Sequence, residues 1–176
     1  MGSKNKISRI FVLYFLIFLA GCITGYIYEE IFYLIQDKTL VNRGFLYGPY
    51  LPVYGFGAIL IVLLLDRLKK YPLLVFILSM LLTGIVEYIT GIALYEIYHK
   101  TWWDYNGLLL NIGGYVCIRS VFTFAIGGIL LIYIIKPQII ELMDKIKLNR
   151  LKIISIVILL IIVIDFILSI LIKNAV

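Results

Sequence analysis

The sequence is poor in the residues that carry most enzyme and metal chemistry. Of its 176 residues only two are cysteine and one is histidine, and 15% are charged. Cys22 and Cys117 lie in apolar runs, which favours reduced packing residues over a disulfide framework or a metal site. The chain contains no G-x-x-x-x-G-K-[ST] phosphate-binding loop and no polar segment large enough for a soluble catalytic domain. We therefore expect no cofactor and no ATPase within this chain.

Apolar residues dominate what is present. They make up 63% of the chain, and the mean hydropathy is +1.07. Such values are typical of a polytopic membrane protein. Five apolar runs predict an all-α membrane protein with about five transmembrane helices, at 10–36, 46–65, 71–98, 108–135 and 153–172. The net charge of +6 fits loops that face anionic lipid, so we expect the lipid bilayer and not nucleic acid as a partner.

The N-terminus has the pattern of a bacterial lipoprotein signal, with Cys22 as the lipidated residue. Lys4, Lys6 and Arg9 precede an apolar stretch that ends at this cysteine. A signal peptide would be removed and would not belong to the fold. The chain stays apolar over 23–35, however, where a lipoprotein normally has a polar tether. We therefore expect an uncleaved first helix.

The segment 42–57 interrupts the second span. Its sequence, NRGFLYGPYLPVYGFG, holds two prolines and four glycines, which resist regular helix. A transmembrane helix needs about 20 residues. Only ten residues, 56–65, separate Gly55 from Asp66, so the segment itself must supply part of the crossing. Irregular backbone at membrane depth must pack inside protein or line a wet cavity. We predict that 46–54 is irregular or re-entrant and enclosed by the other spans.

Lysine and arginine predict the orientation of the spans. The N-terminus and the loops 66–70 and 136–152 hold eleven of these residues, whereas the opposite ends hold four. Because cytoplasmic loops carry the excess, the N-terminus should be cytoplasmic and the C-terminus outside the bacterial cell membrane. The predicted division is a four-helix core at 1–135, an amphipathic cytoplasmic connector at 136–152 and a fifth transmembrane helix at 153–176.

Three spans each place one charge on a face of small or polar residues. The face of the first span carries Gly21, Gly25 and Glu29, and that of the third carries Thr83, Gly84, Glu87, Thr90 and Gly91. In the fourth span an i, i+4 stripe holds Asn111, Tyr115, Arg119, Thr123 and Gly127. At 1.5 Å per residue, Glu87 and Arg119 both lie about 4 Å outward of the midplane. We predict that they touch, either as a structural ion pair or as part of an outward-displaced ligand site.

Five short blocks carry a resemblance to a known family. They are NRGFLYGP at 42–49, P-x-YG-x-G at 52–57, EY-x-TG at 87–91, WWDY at 102–105 and N-x-x-G-x-x-C at 111–117. In their order and spacing the chain resembles the CmpB-like family of small bacterial integral membrane proteins, labelled as type IV ABC transporters. The match covers about residues 20–130 and not the last span. The family pattern has a basic residue at Tyr115, and we expect Arg119 to replace its charge one turn later.

The resemblance implies transport, and with no phosphate loop in this chain any ATPase would be a separate partner protein. We predict a ligand-binding site whose candidate residues are Glu29, Asn42, Arg43, Tyr47, Tyr54, Glu87, Asp104, Asn111 and Arg119. Asp104, with Glu96, His99 and Lys100 nearby, could perform acid–base chemistry, but no serine, cysteine or lysine is poised as a nucleophile beside it, so no catalytic residue is predicted. A transporter or solute-binding membrane component is the preferred function. The alternatives are an intramembrane enzyme acting on a lipid or lipid-linked precursor, and a structural or regulatory subunit of a membrane complex.

Overall fold

Helices account for most of the described chain. The computed structural model describes residues 3–38 and 44–173. Its helices are α1 (Ser3–Asp37), α2 (Pro52–Leu65), α3 (Pro72–Tyr98), α4 (Ile118–Leu130), α5 (Lys136–Lys145) and α6 (Leu148–Leu168). A 3₁₀ turn follows α2 at Asp66–Leu68, and π-helical turns follow α4 at Leu131–Ile135 and α6 at Ser169–Lys173.

Four helical stretches in the described part of the chain are long and apolar enough to cross a membrane. They are Lys4–Ile35, Pro72–Tyr98, Ile118–Lys145 and Leu148–Ile172. The prediction of an all-α, polytopic membrane protein is therefore confirmed. The remaining apolar helix, α2, has 14 residues. Its length of about 21 Å falls short of the ~30 Å hydrocarbon layer, so α2 alone does not complete a crossing.

The second span is broken where the sequence predicted it. Residues 44–51 form bends without regular helix, and α2 begins at Pro52. Proline suits the first helical position, because its missing N–H would have no intrahelical partner there. The prediction of irregular backbone over 46–54 is confirmed up to Leu51 and wrong for 52–54, which form the first turn of α2.

The fourth span begins later than predicted. Its helix starts at Ile118, whereas the apolar run suggested a start near residue 108. Gly113 and Gly114 have φ angles of 60° and 75°, which a right-handed helix cannot contain. Asn111 and Tyr115 therefore lie outside α4, and the predicted helical stripe holds only from Arg119 onward.

The chain divides into two compact units. The first is Met1–Gly55 with Ile135–Val176, and the second is Phe56–Ile134. The division into 1–135, 136–152 and 153–176 stays a prediction.

In the first unit α1 packs against α5 and α6. Val12, Met143 and Leu151 form a buried cluster between these helices. Beside it, Arg9 Nη2 lies 2.6 Å from Asp144 Oδ1 at an exposed position. The cluster buries apolar surface and stabilises the contact, whereas the exposed ion pair adds about 0.2–1 kcal/mol.

Small residues on α1 and in the first turn of α2 let these two stretches of the chain approach closely. A Cβ atom on Gly25 would lie 2.2 Å from Cγ of Tyr54, and one on Gly55 would lie 2.5 Å from Sγ of Cys22. The Leu51 amide donates to the Cys22 carbonyl at 3.1 Å. Gly25, on the small-residue face of the first span, therefore lies in close contact with the start of α2, and the close approach also explains why Gly55 is tolerated within a helix.

In the second unit α3 and α4 form a packed helical hairpin. The buried residues of α3 recur every four positions, as Val75, Ser79, Thr83, Glu87 and Gly91. A Cβ on Gly84 would lie 3.0 Å from Val121 Cγ1, and one on Gly128 would lie 2.5 Å from Ser79 Oγ. The small residues therefore set the close spacing of the two helices.

Candidate functional site

The connection between α3 and α4, residues 99–117, folds back along α3. A Cβ on Gly91 would lie 2.6 Å from the Tyr115 ring, and one on Gly84, near the middle of α3, would lie 3.8 Å from Val116. Several of its backbone groups bond within the segment, as in the 2.9 Å bond from the Ile112 amide to the Val116 carbonyl. We call this segment the re-entrant connection.

The re-entrant connection brings a tyrosine to a buried carboxylate. Glu87 lies on α3, and 5% of its surface is exposed. The Tyr105 hydroxyl donates to Glu87 Oε1 at 2.9 Å. The guanidinium carbon of Arg119, in the first turn of α4, lies 5.8 Å from the centre of the Tyr105 ring, within cation–π range. We call Glu87, Tyr105 and Arg119 the polar cluster; it joins a buried acid, a hydroxyl and an exposed cation.

Local hydrogen bonds hold the re-entrant connection in shape. Trp103 Nε1 donates to the Tyr115 carbonyl at 2.9 Å. Asp104 Oδ1 accepts from the Asn106 amide at 2.8 Å, which closes an Asx turn. Asn111 Nδ2 donates to the Leu108 carbonyl at 2.9 Å. The predicted site residues Asp104 and Asn111 thus contribute to the shape of the segment that carries Tyr105.

A second buried carboxylate holds the irregular segment 44–51 in the first unit. Asp165 on α6 accepts from the Tyr47 amide at 3.0 Å and from the Gly48 amide at 2.8 Å. It also accepts from the Tyr50 hydroxyl, and from the Ser169 hydroxyl at 3.1 Å. A segment without helix leaves its amides without intrahelical acceptors, and here the carboxylate replaces some of those acceptors.

The remaining predicted acid lies beside the start of α2. Glu29 Oε1 accepts from the Tyr54 hydroxyl at 2.7 Å. This bond anchors the ring that packs on Gly25, so it complements the small-residue contact between α1 and the first turn of α2.

The predicted site residues fall into two groups. Glu29, Tyr47 and Tyr54 belong to the first unit, whereas Glu87, Asp104, Asn111 and Arg119 belong to the second. Asn42 and Arg43 lie outside the described residues. The structure brings Glu29 to Tyr54, and Glu87 and Arg119 to a shared contact with Tyr105. That the candidates belong to one ligand-binding site stays a prediction.

Sequence reasoning left two important residues out of the site. Tyr105 stands in the WWDY block, but nothing in that block indicates that its hydroxyl reaches Glu87. Asp165 is a carboxylate in an otherwise apolar helix. Burying such a charge is energetically costly, so the pattern alone predicts a specific partner for it. The depth of Asp165 could be estimated from the sequence, but its partners could not.

The fold and these contacts define a small polytopic α-helical membrane protein, with buried carboxylates and two irregular segments in the part of the chain that the structure describes. A family model described as "Putative ABC-transporter type IV" matches residues 16–170. The chain belongs to this ABC-transporter-related family, and the predicted CmpB-like resemblance is confirmed. The match includes most of α6, which corrects the expectation that the resemblance stops near residue 130. Comparisons with curated proteins and with solved structures found no match.

Proposed function

We propose that this protein is a transporter or a solute-binding membrane component whose ligand binds at the polar cluster. The observation that carries the proposal is the buried Glu87 carboxylate, which Tyr105 contacts from an irregular segment. Transporters often place substrate sites where a membrane helix is interrupted. A carboxylate within a span costs about 3 kcal/mol or more, so its retention beside a non-helical segment favours a functional role.

Each member of the polar cluster has a distinct chemical role in this proposal. Arg119 is exposed, and its planar guanidinium suits a carboxylate or phosphate group of the ligand. Tyr105 lies between the cation and the acid. Glu87 acts as the counter-charge of Arg119 or as a proton carrier.

The family description supports a partner and a location for this activity. An ABC-type transporter needs an ATPase, and this sequence contains no phosphate-binding loop. We therefore propose that a separate ATPase protein associates with it in the bacterial cell membrane. The excess of Lys and Arg at the N-terminus and in loops 66–70 and 136–152 supports a cytoplasmic N-terminus and an external C-terminus.

Cysteine labelling tests this orientation. In intact cells a membrane-impermeant maleimide should label Thr101→Cys, and it should label Lys69→Cys only after permeabilisation. Both positions are exposed, and the native Cys22 and Cys117 are buried, so background labelling should be small. Labelling of Lys69→Cys alone in intact cells would reverse the proposed topology.

Anion binding tests the ligand site. With the protein in nanodiscs at constant ionic strength, inorganic phosphate should change the tryptophan fluorescence saturably, because Trp103 is hydrogen-bonded within the re-entrant connection. Arg119→Gln should raise the half-saturating concentration by about tenfold or more, since a charge-assisted hydrogen bond contributes about 1.5–3 kcal/mol. Glu87→Gln should keep the fold and should also change the half-saturating phosphate concentration.

The matched control is Lys100→Gln. The Lys100 ammonium lies 5.7 Å from the centre of the Trp102 ring, so this change also removes a cation near a tryptophan. The phosphate response should survive it. A wild-type protein without a saturable response, or a response that Lys100→Gln abolishes and Arg119→Gln leaves intact, would contradict the proposed site.

A further inference from the structure

An apolar groove lies in the second unit beside the polar cluster. It has a volume of about 540 Å³, within the range of small-molecule sites. The wall from α3 contains Leu81, Gly84, Ile85 and Tyr88. The described residues along the groove include no charged side chain.

The re-entrant connection and α4 form the other wall. The connection contributes Leu110, Ile112 and Val116, and α4 contributes Val121. Leu110 has a φ of 52°, a left-handed conformation disfavoured for residues other than glycine, and its side chain is 70% exposed. A strained backbone that presents an exposed leucine to a groove favours an apolar occupant over water.

The groove and the polar cluster share neighbouring residues on both helices. Gly84, in the groove, stands three residues before Glu87, so the two are neighbours on one face of α3, and Ile118, also in the groove, precedes Arg119. The Tyr88 ring meets the Tyr115 ring edge-on, with 5.9 Å between centroids. A ligand with a polar head and an apolar chain could therefore contact both features at once.

We infer that the ligand of this site is an amphiphile, with an anionic head group at Arg119 and a hydrocarbon chain in the apolar groove. The inference rests on the proposed function, because the head group occupies the polar cluster. The groove lies between two membrane-spanning helices, so a chain reaches it from the bilayer without crossing water. The exposed cation of Arg119 and the uncharged groove match the two ends of such a molecule.

Photolabelling tests the chain site. The probe is palmitic acid that carries a diazirine in the middle of its chain, added to the full-length protein in nanodiscs. Labelling should be saturable, should be competed by unlabelled palmitate and should map to the 80–88 and 110–121 peptides. Ile85→Trp fills the groove and should reduce this labelling at least about tenfold.

Ile89→Trp is the matched control, one turn away on the same helix. Ile85 and Ile89 are 57% and 60% exposed, but only Ile85 lines the groove, so both variants should fold. Saturable labelling that Ile85→Trp removes and Ile89→Trp preserves supports the inference. Labelling that is not saturable, or that both variants reduce equally, reflects general contact with lipid and overturns it. The inference is also overturned if the Ile85→Trp protein forms a smaller oligomer than the wild type, because a second copy of the chain then occupies the groove.

The inorganic phosphate titration separates this inference from the proposed function. Ile85→Trp should keep the phosphate response, since the polar cluster is unchanged, whereas Arg119→Gln should weaken both phosphate and palmitate binding. A phosphate response that depends on Arg119, together with an unlabelled groove, overturns the inference of an amphiphilic ligand and leaves the proposed function intact. Saturable groove labelling that Arg119→Gln does not change also overturns the inferred ligand, because its head group is then not held by the cluster.

Discussion

Asp165→Ala should abolish most of the folded protein. The carboxylate accepts from two backbone amides, of Tyr47 and Gly48, and from the hydroxyls of Tyr50 and Ser169. Alanine removes this acceptor from all four donors in apolar surroundings, at a cost of about 1–3 kcal/mol for each donor that finds no other partner. Because whole proteins are stable by only about 5–15 kcal/mol, this loss should be close to the total. Size-exclusion chromatography of heated detergent samples would measure the remaining folded fraction.

Two variants grade this effect. Asp165→Asn keeps one acceptor oxygen and should fall between the wild type and Asp165→Ala. Ser169→Ala removes only one of the four donors, so it should lower the free energy of unfolding by about 1 kcal/mol. If Asp165→Ala has the same melting temperature as the wild-type protein, the segment 44–51 does not depend on this carboxylate, and our account of the broken span is wrong.

Gly25→Ala should also destabilise the protein strongly, although it adds a single methyl group. The added Cβ would lie 2.2 Å from Cγ of Tyr54, and the ring also donates through its hydroxyl to Glu29. The ring must move to admit the methyl group, which costs about 1–3 kcal/mol by overpacking and strains the bond to Glu29 as well. The melting temperature in detergent should fall accordingly.

Gly127→Ala is the control with the opposite sign. The position lies in α4, and a Cβ there would meet no described atom within 4 Å. Alanine in a helix interior is favoured over glycine by about 0.5–1 kcal/mol, so this variant should be as stable as the wild type or slightly more stable. Gly25→Ala combined with Tyr54→Ala should recover part of the loss relative to Tyr54→Ala alone, because the obstructing ring is then absent. Equal stability of Gly25→Ala and Gly127→Ala would contradict the close packing of α1 on the first turn of α2.

The spans of this protein are encoded locally, and that is why the sequence predicts them well. Long apolar runs cannot remain in water, and each must form a helix in the membrane to satisfy its own backbone. The interruption at 44–51 was also predictable, since prolines and glycines stand where the run is too short to cross. The close contact at Gly25 was predictable for a similar reason, because two glycines four residues apart are typical of close helix contact.

The re-entrant connection shows where local reasoning ends. Residues 108–117 are as apolar as a membrane helix, but the positive φ angles of Leu110, Gly113 and Gly114 prevent one. The adjacent glycines were a usable signal, whereas nothing about a leucine predicts a left-handed conformation. The partners of Glu87 and Asp165 depend on contacts between distant parts of the chain, and no pattern within a single helix specifies them.

The bonds of Asp165 also constrain the order in which the protein can mature during synthesis. The amides of Tyr47 and Gly48 lie 118 and 117 residues before their acceptor. At a ribosomal rate of about 5–20 residues per second, that acceptor emerges roughly 6–24 s after the segment that needs it. Until then the amides of Tyr47 and Gly48 lack these acceptors. A chain truncated before α6 would remain in that immature state, so the final helix completes a structure begun near the N-terminus.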